Sequence, residues 1–102
     1  MTSGEAESRR LPVLVNLTTG DRYTLDNPSL SLGRAPDNQI ILPEDGFASA
    51  SHARIFFDQG RWMVEDLKSS NGTKVNDVVI SEPRALAPFD VIRVGRTEFR
   101  IE

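Results

Sequence analysis

The chain has no cysteine, which excludes disulfide bridges and thiolate metal sites and leaves packing alone to hold the fold together. A single histidine, His52, rules out a metal site built from several imidazoles, and no cofactor is expected. There is no basic excess: 12 Lys and Arg stand against 15 Asp and Glu, for a net charge of −3. Nucleic-acid binders draw their affinity from neutralising phosphates, so this balance argues against a nucleic-acid partner but leaves room for one small basic pocket. No apolar run approaches the length of a bilayer span, so membrane insertion is not expected. Residues 1–10 lack the apolar segment of a secretory signal, which makes the cytoplasm the expected location. No segment carries a helical period, and no internal repeat is present.

What is there is short, alternating and punctuated. The 102 residues suffice for one domain, with 38% hydrophobic and 26% charged residues as in ordinary soluble folds. Residues 1–10 are small and charged, and read as a flexible arm. Residues 11–102 read as the folded domain. Leu11, Val13, Val15 and Leu17 alternate at period two, and after a turn at residues 18–21 the pattern returns through Tyr23 and Leu25. Leu30 and Leu32 mark a third strand closed by Gly33, and Ile40 to Leu42 a fourth ended by Pro43. His52 to Phe57 and Arg61 to Leu67 flank Asp58-Gln59-Gly60 as a hairpin, in which Trp62, Phe56 and Phe57 read as core. Val75 and Val78 to Ile80 flank a turn at Asn76-Asp77. Residues 81–88, with two prolines, read as irregular. Val91 to Val94 and Thr97 to Ile101 form a last hairpin, with Thr97, Phe99 and Ile101 on one face. Many short strands at even spacing predict an all-β antiparallel sandwich. Such a sandwich gathers its loops at two ends, where binding sits.

Three loop clusters carry the polar chemistry: Gly33-Arg34, then Ser49-Ala50-Ser51-His52, then Ser69-Ser70-Asn71-Gly72-Thr73. Taken singly, each is an ordinary strand end, loop or turn. Together they suit an anion. Arginine offers a planar fork of donors that matches phosphate and keeps its charge, and serine hydroxyls and loop N–H groups add donors. The Asn71 amide both donates and accepts, which suits a peptide backbone. Lys68 and Lys74 would raise the local potential.

The order Gly-Arg, Ser-x-x-His, Asn-Gly, within LSLGRAPDNQIIL, SHARI and VEDLKSSNGTKVN, resembles the signature of forkhead-associated (FHA) domains of bacterial type. The likeness runs from about Val13 to Ile101. It implies a sandwich of about eleven short strands whose loops at one end bind phosphothreonine. By that likeness Arg34 grips the phosphate, Ser49 and Ser70 hydrogen-bond near it, and Asn71 bonds the ligand backbone. Gly33, His52 and Gly72 support the site architecturally. The implied partners are phosphothreonine-containing proteins, either substrates of a Ser/Thr kinase or the kinase itself, bound by a monomer. The family most often has Arg, sometimes Asn, after the phosphate-binding serine, whereas this chain has Ala50. Phe47 and Ala50 are candidate selectivity positions. The loops around Glu44 to Ala48 and Asn76 to Val79 would read ligand residues after the phosphothreonine, and Phe47 with Glu44-Asp45 points to an apolar or basic preference there.

Three other readings compete. Ala50 leaves open a degenerate FHA domain that assembles proteins without phosphate. Ser49 or Ser51 beside His52 offers a nucleophile and base on paper, but no glycine-flanked nucleophile motif accompanies them, so an enzyme is not expected. Thr2 in the arm, if phosphorylated, could occupy the pocket of its own or a neighbouring chain; the shortness of the arm weighs against it.

Overall fold

The computed structural model describes residues 11–102; the arm expected at residues 1–10 lies outside the described residues. Eleven strands fill the described chain: β1 (Val13–Asn16), β2 (Arg22–Thr24), β3 (Ser29–Gly33), β4 (Ile40–Ile41), β5 (Ala53–Asp58), β6 (Arg61–Asp66), β7 (Thr73–Val75), β8 (Val78–Val79), β9 (Arg84–Ala85), β10 (Val91–Val94) and β11 (Thr97–Ile101). No helix occurs among the described residues, and none therefore is long and apolar enough to cross a membrane.

The strands form two sheets, one of six strands in the order β2-β1-β11-β10-β7-β8 and one of five in the order β4-β3-β5-β6-β9. All pairings are antiparallel except β3 with β4, which run parallel with Leu32 opposite Ile40. The inward positions interdigitate into one core. Leu14, Leu25, Leu32, Ile55, Val64, Val75, Ile92, Val94 and Phe99 are fully buried. Each such aliphatic or aromatic side chain contributes about 1.5–3 kcal/mol relative to exposure, enough in aggregate to replace the absent disulfides. Tyr23 meets Phe99 edge-on at 6.3 Å between ring centroids.

Turn chemistry matches the hairpins. Asn76 and Asp77 both adopt positive φ, as do Gln59 and Gly60, the geometry that continues the twist of two antiparallel strands through a two-residue loop. The first and last strands are neighbours. β1 pairs with β11, and Val13 and Glu102 exchange backbone hydrogen bonds of 2.9 and 2.7 Å.

The structure departs from the sequence reading in three places. On β1 the wholly buried residue is Leu14, while Leu11 and Leu17 are 44% and 41% exposed. The register explains this: Leu14 lies opposite Ile101 and Asn16 opposite Phe99, so the inward face of β11 selects the even positions. Asn16 tolerates burial because its Oδ1 accepts the backbone N–H groups of Thr18 and Thr19 at 2.8 and 3.1 Å. Within residues 81–88 a short strand, β9, pairs Ala85 with Met63 on the sheet edge between the two prolines. Phe57 is not core. It is 48% exposed and meets the half-buried Trp62 edge-on at 5.2 Å, at the hairpin end of β5 and β6.

Candidate functional site

Register places residues 33–34, 42–52, 67–73 and 95–96 at one end of the sandwich, because β3, β6 and β10 end there and β5, β7 and β11 begin there. Four of these loops are stitched to one another by specific bonds.

The first stitch is a close backbone approach at Gly33. A β-carbon there would lie 2.2 Å from the Ala50 carbonyl oxygen and 2.9 Å from Asn38 Nδ2, so only glycine fits. That approach lets Arg34 N–H donate to the Ser49 carbonyl at 2.9 Å and Ala35 N–H to the Ala50 carbonyl at 3.2 Å. Asn38, 7% exposed, donates through Nδ2 to the carbonyls of Ala35 and Ala50 at 2.8 and 2.7 Å. Asn38 escaped the sequence reading, because an Asn in a polar loop gives no sign that it will be buried.

His52 is the second stitch. It is fully buried, its Nδ1 accepts the Ser49 backbone N–H at 3.0 Å, and Nε2 lies 2.8 Å from the Gly72 carbonyl. An Nδ1 that accepts leaves the proton on Nε2, which donates to Gly72. The ring thus ties the 42–52 loop to the 67–73 loop. Both nitrogens are engaged by backbone, so His52 offers no base to Ser49 or Ser51, and the nucleophile arrangement does not form.

The third stitch is Asp66, at the end of β6. Its carboxylate accepts the Ser69 N–H at 3.0 Å, the Ser69 hydroxyl, and the Thr73 hydroxyl at 2.7 Å. Ser69 Oγ in turn accepts the Gly72 N–H at 2.9 Å. Gly72 closes the loop at a φ of 81°. Burial alone would raise the Asp66 pKa, but the bonds from Ser69 and Thr73 hold it below the ordinary carboxylate range.

With the loops fixed, Arg34, Ser49, Ser70 and Asn71 line one cleft of about 320 Å³, together with Gly46, Phe47, Ala48 and Ala50. Ser49 Oγ accepts the Ser70 N–H at 2.9 Å, and Asn71 Nδ2 donates to the Phe47 carbonyl at 2.8 Å. The Arg34 side chain is exposed, and its charge meets no carboxylate in the lining of the cleft. Ala50 is exposed at the rim and contributes its carbonyl inward rather than a side-chain donor outward.

Two residues of the expected selectivity loops also hold the fold. Asp45 is committed to the fold: it accepts the Arg96 N–H at 2.8 Å, the Thr97 hydroxyl at 2.7 Å and the Phe47 N–H at 3.0 Å. These donors are neutral, so the carboxylate keeps its charge, and Asp45 lines a cavity together with Glu44 and Phe47. Burial would raise its pKa, but these bonds lower it overall. Asn76 sits at the far end of the sandwich and bonds the Asp90 carboxylate and the Val91 N–H at 2.9 and 3.0 Å, a structural role. Of the Asn76 to Val79 stretch, Val79 returns beside the site, 3.5 Å from where a Gly72 β-carbon would stand. Of the two lysines, Lys68 lines neither the cleft nor its neighbour, and Lys74 lines the neighbouring pocket described below.

A two-sheet sandwich with an uncompensated arginine, serine groups and an amide converging on an end cleft defines a small anion-reading recognition module. Residues 30–95 match the FHA domain family, and the chain belongs to it. FHA domain-containing protein FhaB of Mycobacterium tuberculosis is 33% identical over 94 residues, which cover 92% of this chain and 60% of FhaB. This chain thus spans less than two thirds of that relative. Among solved structures, M. tuberculosis EmbR in complex with a low-affinity phosphopeptide superposes with a TM-score of 0.88 at 30% identity, over 100% of this chain and 26% of EmbR. A structure from a study of phosphothreonine-dependent FHA domain interactions superposes with a TM-score of 0.82 at 34% identity, over 90% of this chain and 95% of the other.

Proposed function

We propose that this FHA domain binds phosphothreonine-bearing segments of partner proteins in the end cleft, as a module of Ser/Thr-kinase signalling or assembly in the cytoplasm. The observation that carries the reading is the convergence of Arg34, Ser49, Ser70 and Asn71 on one cleft whose lining holds no carboxylate. Arg34 supplies the permanent charge and a forked pair of donors for phosphate oxygens. The hydroxyls of Ser49 and Ser70 donate to the same group, Ser49 Oγ being oriented by the Ser70 N–H it already accepts. Asn71, held through Nδ2, offers Oδ1 to a ligand backbone N–H. The phosphopeptide in EmbR and the phosphothreonine dependence named for the other neighbour support the same reading.

Micromolar affinity corresponds to about −8 kcal/mol. Two or three charge-assisted bonds at about 1.5–3 kcal/mol each supply roughly half of it. Removing the phosphate should then weaken binding at least about a hundredfold. The test is fluorescence anisotropy against matched phosphothreonine, phosphoserine and unphosphorylated peptide libraries. Selective binding of the phosphothreonine set, abolished by Arg34→Ala with the unfolding temperature unchanged, is the expected result. Equal binding of phosphorylated and plain peptides would refute it and favour the phosphate-independent scaffold that Ala50 suggests.

A further inference from the structure

Next to the cleft lies a second pocket of about 300 Å³, lined by Lys74, Arg93 and Arg96 with Phe47, Asn71, Gly72 and Gly95. It shares Phe47 and Asn71 with the Arg34 cleft, so one extended segment can run from the first into the second. Three cations gather here on a chain whose net charge is −3, and no carboxylate lines the pocket.

The fold does not need this concentration of charge. Lys74 and Arg93 lie directly opposite each other on β7 and β10, a like-charge cross-strand pair that destabilises a sheet. Glu98 is the next cross-strand neighbour of Arg93. The ion pairs among the described residues are Arg22–Glu102, Arg54–Glu65 and Arg100–Glu102, so Glu98 forms an ion pair with none of the three cations. Arg93 Nε instead donates along its own strand to the Gly95 carbonyl at 3.2 Å. Arg96 lies over the Phe47 ring at 3.9 Å, which holds its guanidinium at the boundary between the two pockets. The other nearby acid, Asp45, accepts the Arg96 N–H and the Thr97 hydroxyl and forms no ion pair with the three cations among the described residues.

The geometry points to Lys74, Arg93 and Arg96 as a second anion subsite that takes another acidic side chain of the bound segment, a second phosphate better than a carboxylate. The inference rests on the phosphothreonine reading of the Arg34 cleft. A dianionic phosphate matches three cations that form no ion pair among the described residues more fully than a single carboxylate does, and offers three acceptor oxygens.

The experiment is anisotropy titration of a phosphothreonine peptide with otherwise neutral flanks. In parallel series, a second phosphothreonine or an aspartate is walked one residue at a time along either side. At one spacing the second phosphate should tighten binding at least about tenfold, and aspartate less, as expected for added charge-assisted bonds. The double variant Lys74→Gln, Arg93→Gln should erase that gain while holding the singly phosphorylated peptide within about twofold, which also reports that the variant is folded. If no spacing improves on the neutral peptide, or the gain survives in the double variant, or both peptides weaken equally, the second subsite is wrong while the Arg34 cleft stands. If no phosphopeptide binds the native chain, both readings fall.

Discussion

Gly33→Ala tests whether the loops of the binding end are held by backbone contact rather than by side-chain bulk. The added methyl would stand 2.2 Å from the Ala50 carbonyl oxygen, and ordinary contact begins at 3.4 Å, so the two segments must part by more than 1 Å. Both sides of the contact are backbone, so no flexible side-chain end can absorb the shift. Parting the segments stretches the 2.9 Å bond from Arg34 to Ser49 and the 3.2 Å bond from Ala35 to Ala50 beyond hydrogen-bonding range. Overpacking costs about 1–3 kcal/mol and each lost bond about 1 kcal/mol. The expected loss is about 3–5 kcal/mol, a large share of the stability of a small domain. At a urea slope of about 1 kcal/mol/M, the midpoint should fall by roughly 3 M or more. Because Arg34 and Ser49 move apart with the loops, phosphopeptide affinity should also fall about tenfold under conditions where the variant is folded. Gly46→Ala is the control, since a β-carbon there meets nothing within 4 Å; it should change stability by less than about 0.5 kcal/mol. A Gly33→Ala midpoint within error of the native one would refute the argument.

Three further outcomes follow from the same geometry. His52→Ala should cost about 2–4 kcal/mol in chemical denaturation and speed hydrogen exchange at the Ser49 amide, which loses its acceptor. Asp66 and Asp45 have folded pKa values below their unfolded ones, so the stability they contribute is present above the unfolded carboxylate range, about pH 4, and is lost as pH falls through the folded values. Thermal unfolding should therefore hold steady from neutral pH down to about 5 and decline below 4, with Asp66→Asn flattening the decline. Ala50→Arg adds a donor at the exposed rim without touching the carbonyl that accepts Asn38, and should tighten phosphopeptide binding about three- to tenfold in anisotropy, leaving stability unchanged.

Much of the architecture was legible because it is local. Period-two alternation and turn residues such as Asn76-Asp77 and Gln59-Gly60 mark the hairpins directly. What escaped depends on distant partners. The buried face of β1 is chosen by Phe99 and Ile101, far along the chain. The strand β9 is two residues long and exists only because β6 offers an edge. The parallel bridge between β3 and β4 has no signature of its own. At the binding end, the clusters around Arg34, Ser49 and Asn71 were visible as motifs. The groups that position them went unmarked: Asn38 looked like a solvated loop residue, and Asp66 like an ordinary strand end. The pocket of Lys74, Arg93 and Arg96 was invisible as a set, since only the β7-β10-β11 pairing brings those residues together.

The pairing of the first strand with the last gives this domain a front and a rear. Val13 and Glu102 lie side by side at the pole away from the cleft, separated from it by the length of β11. Five strand residues span about 17 Å. The seam where the first strand meets the last thus lies at the rear, and the cleft opens at the front.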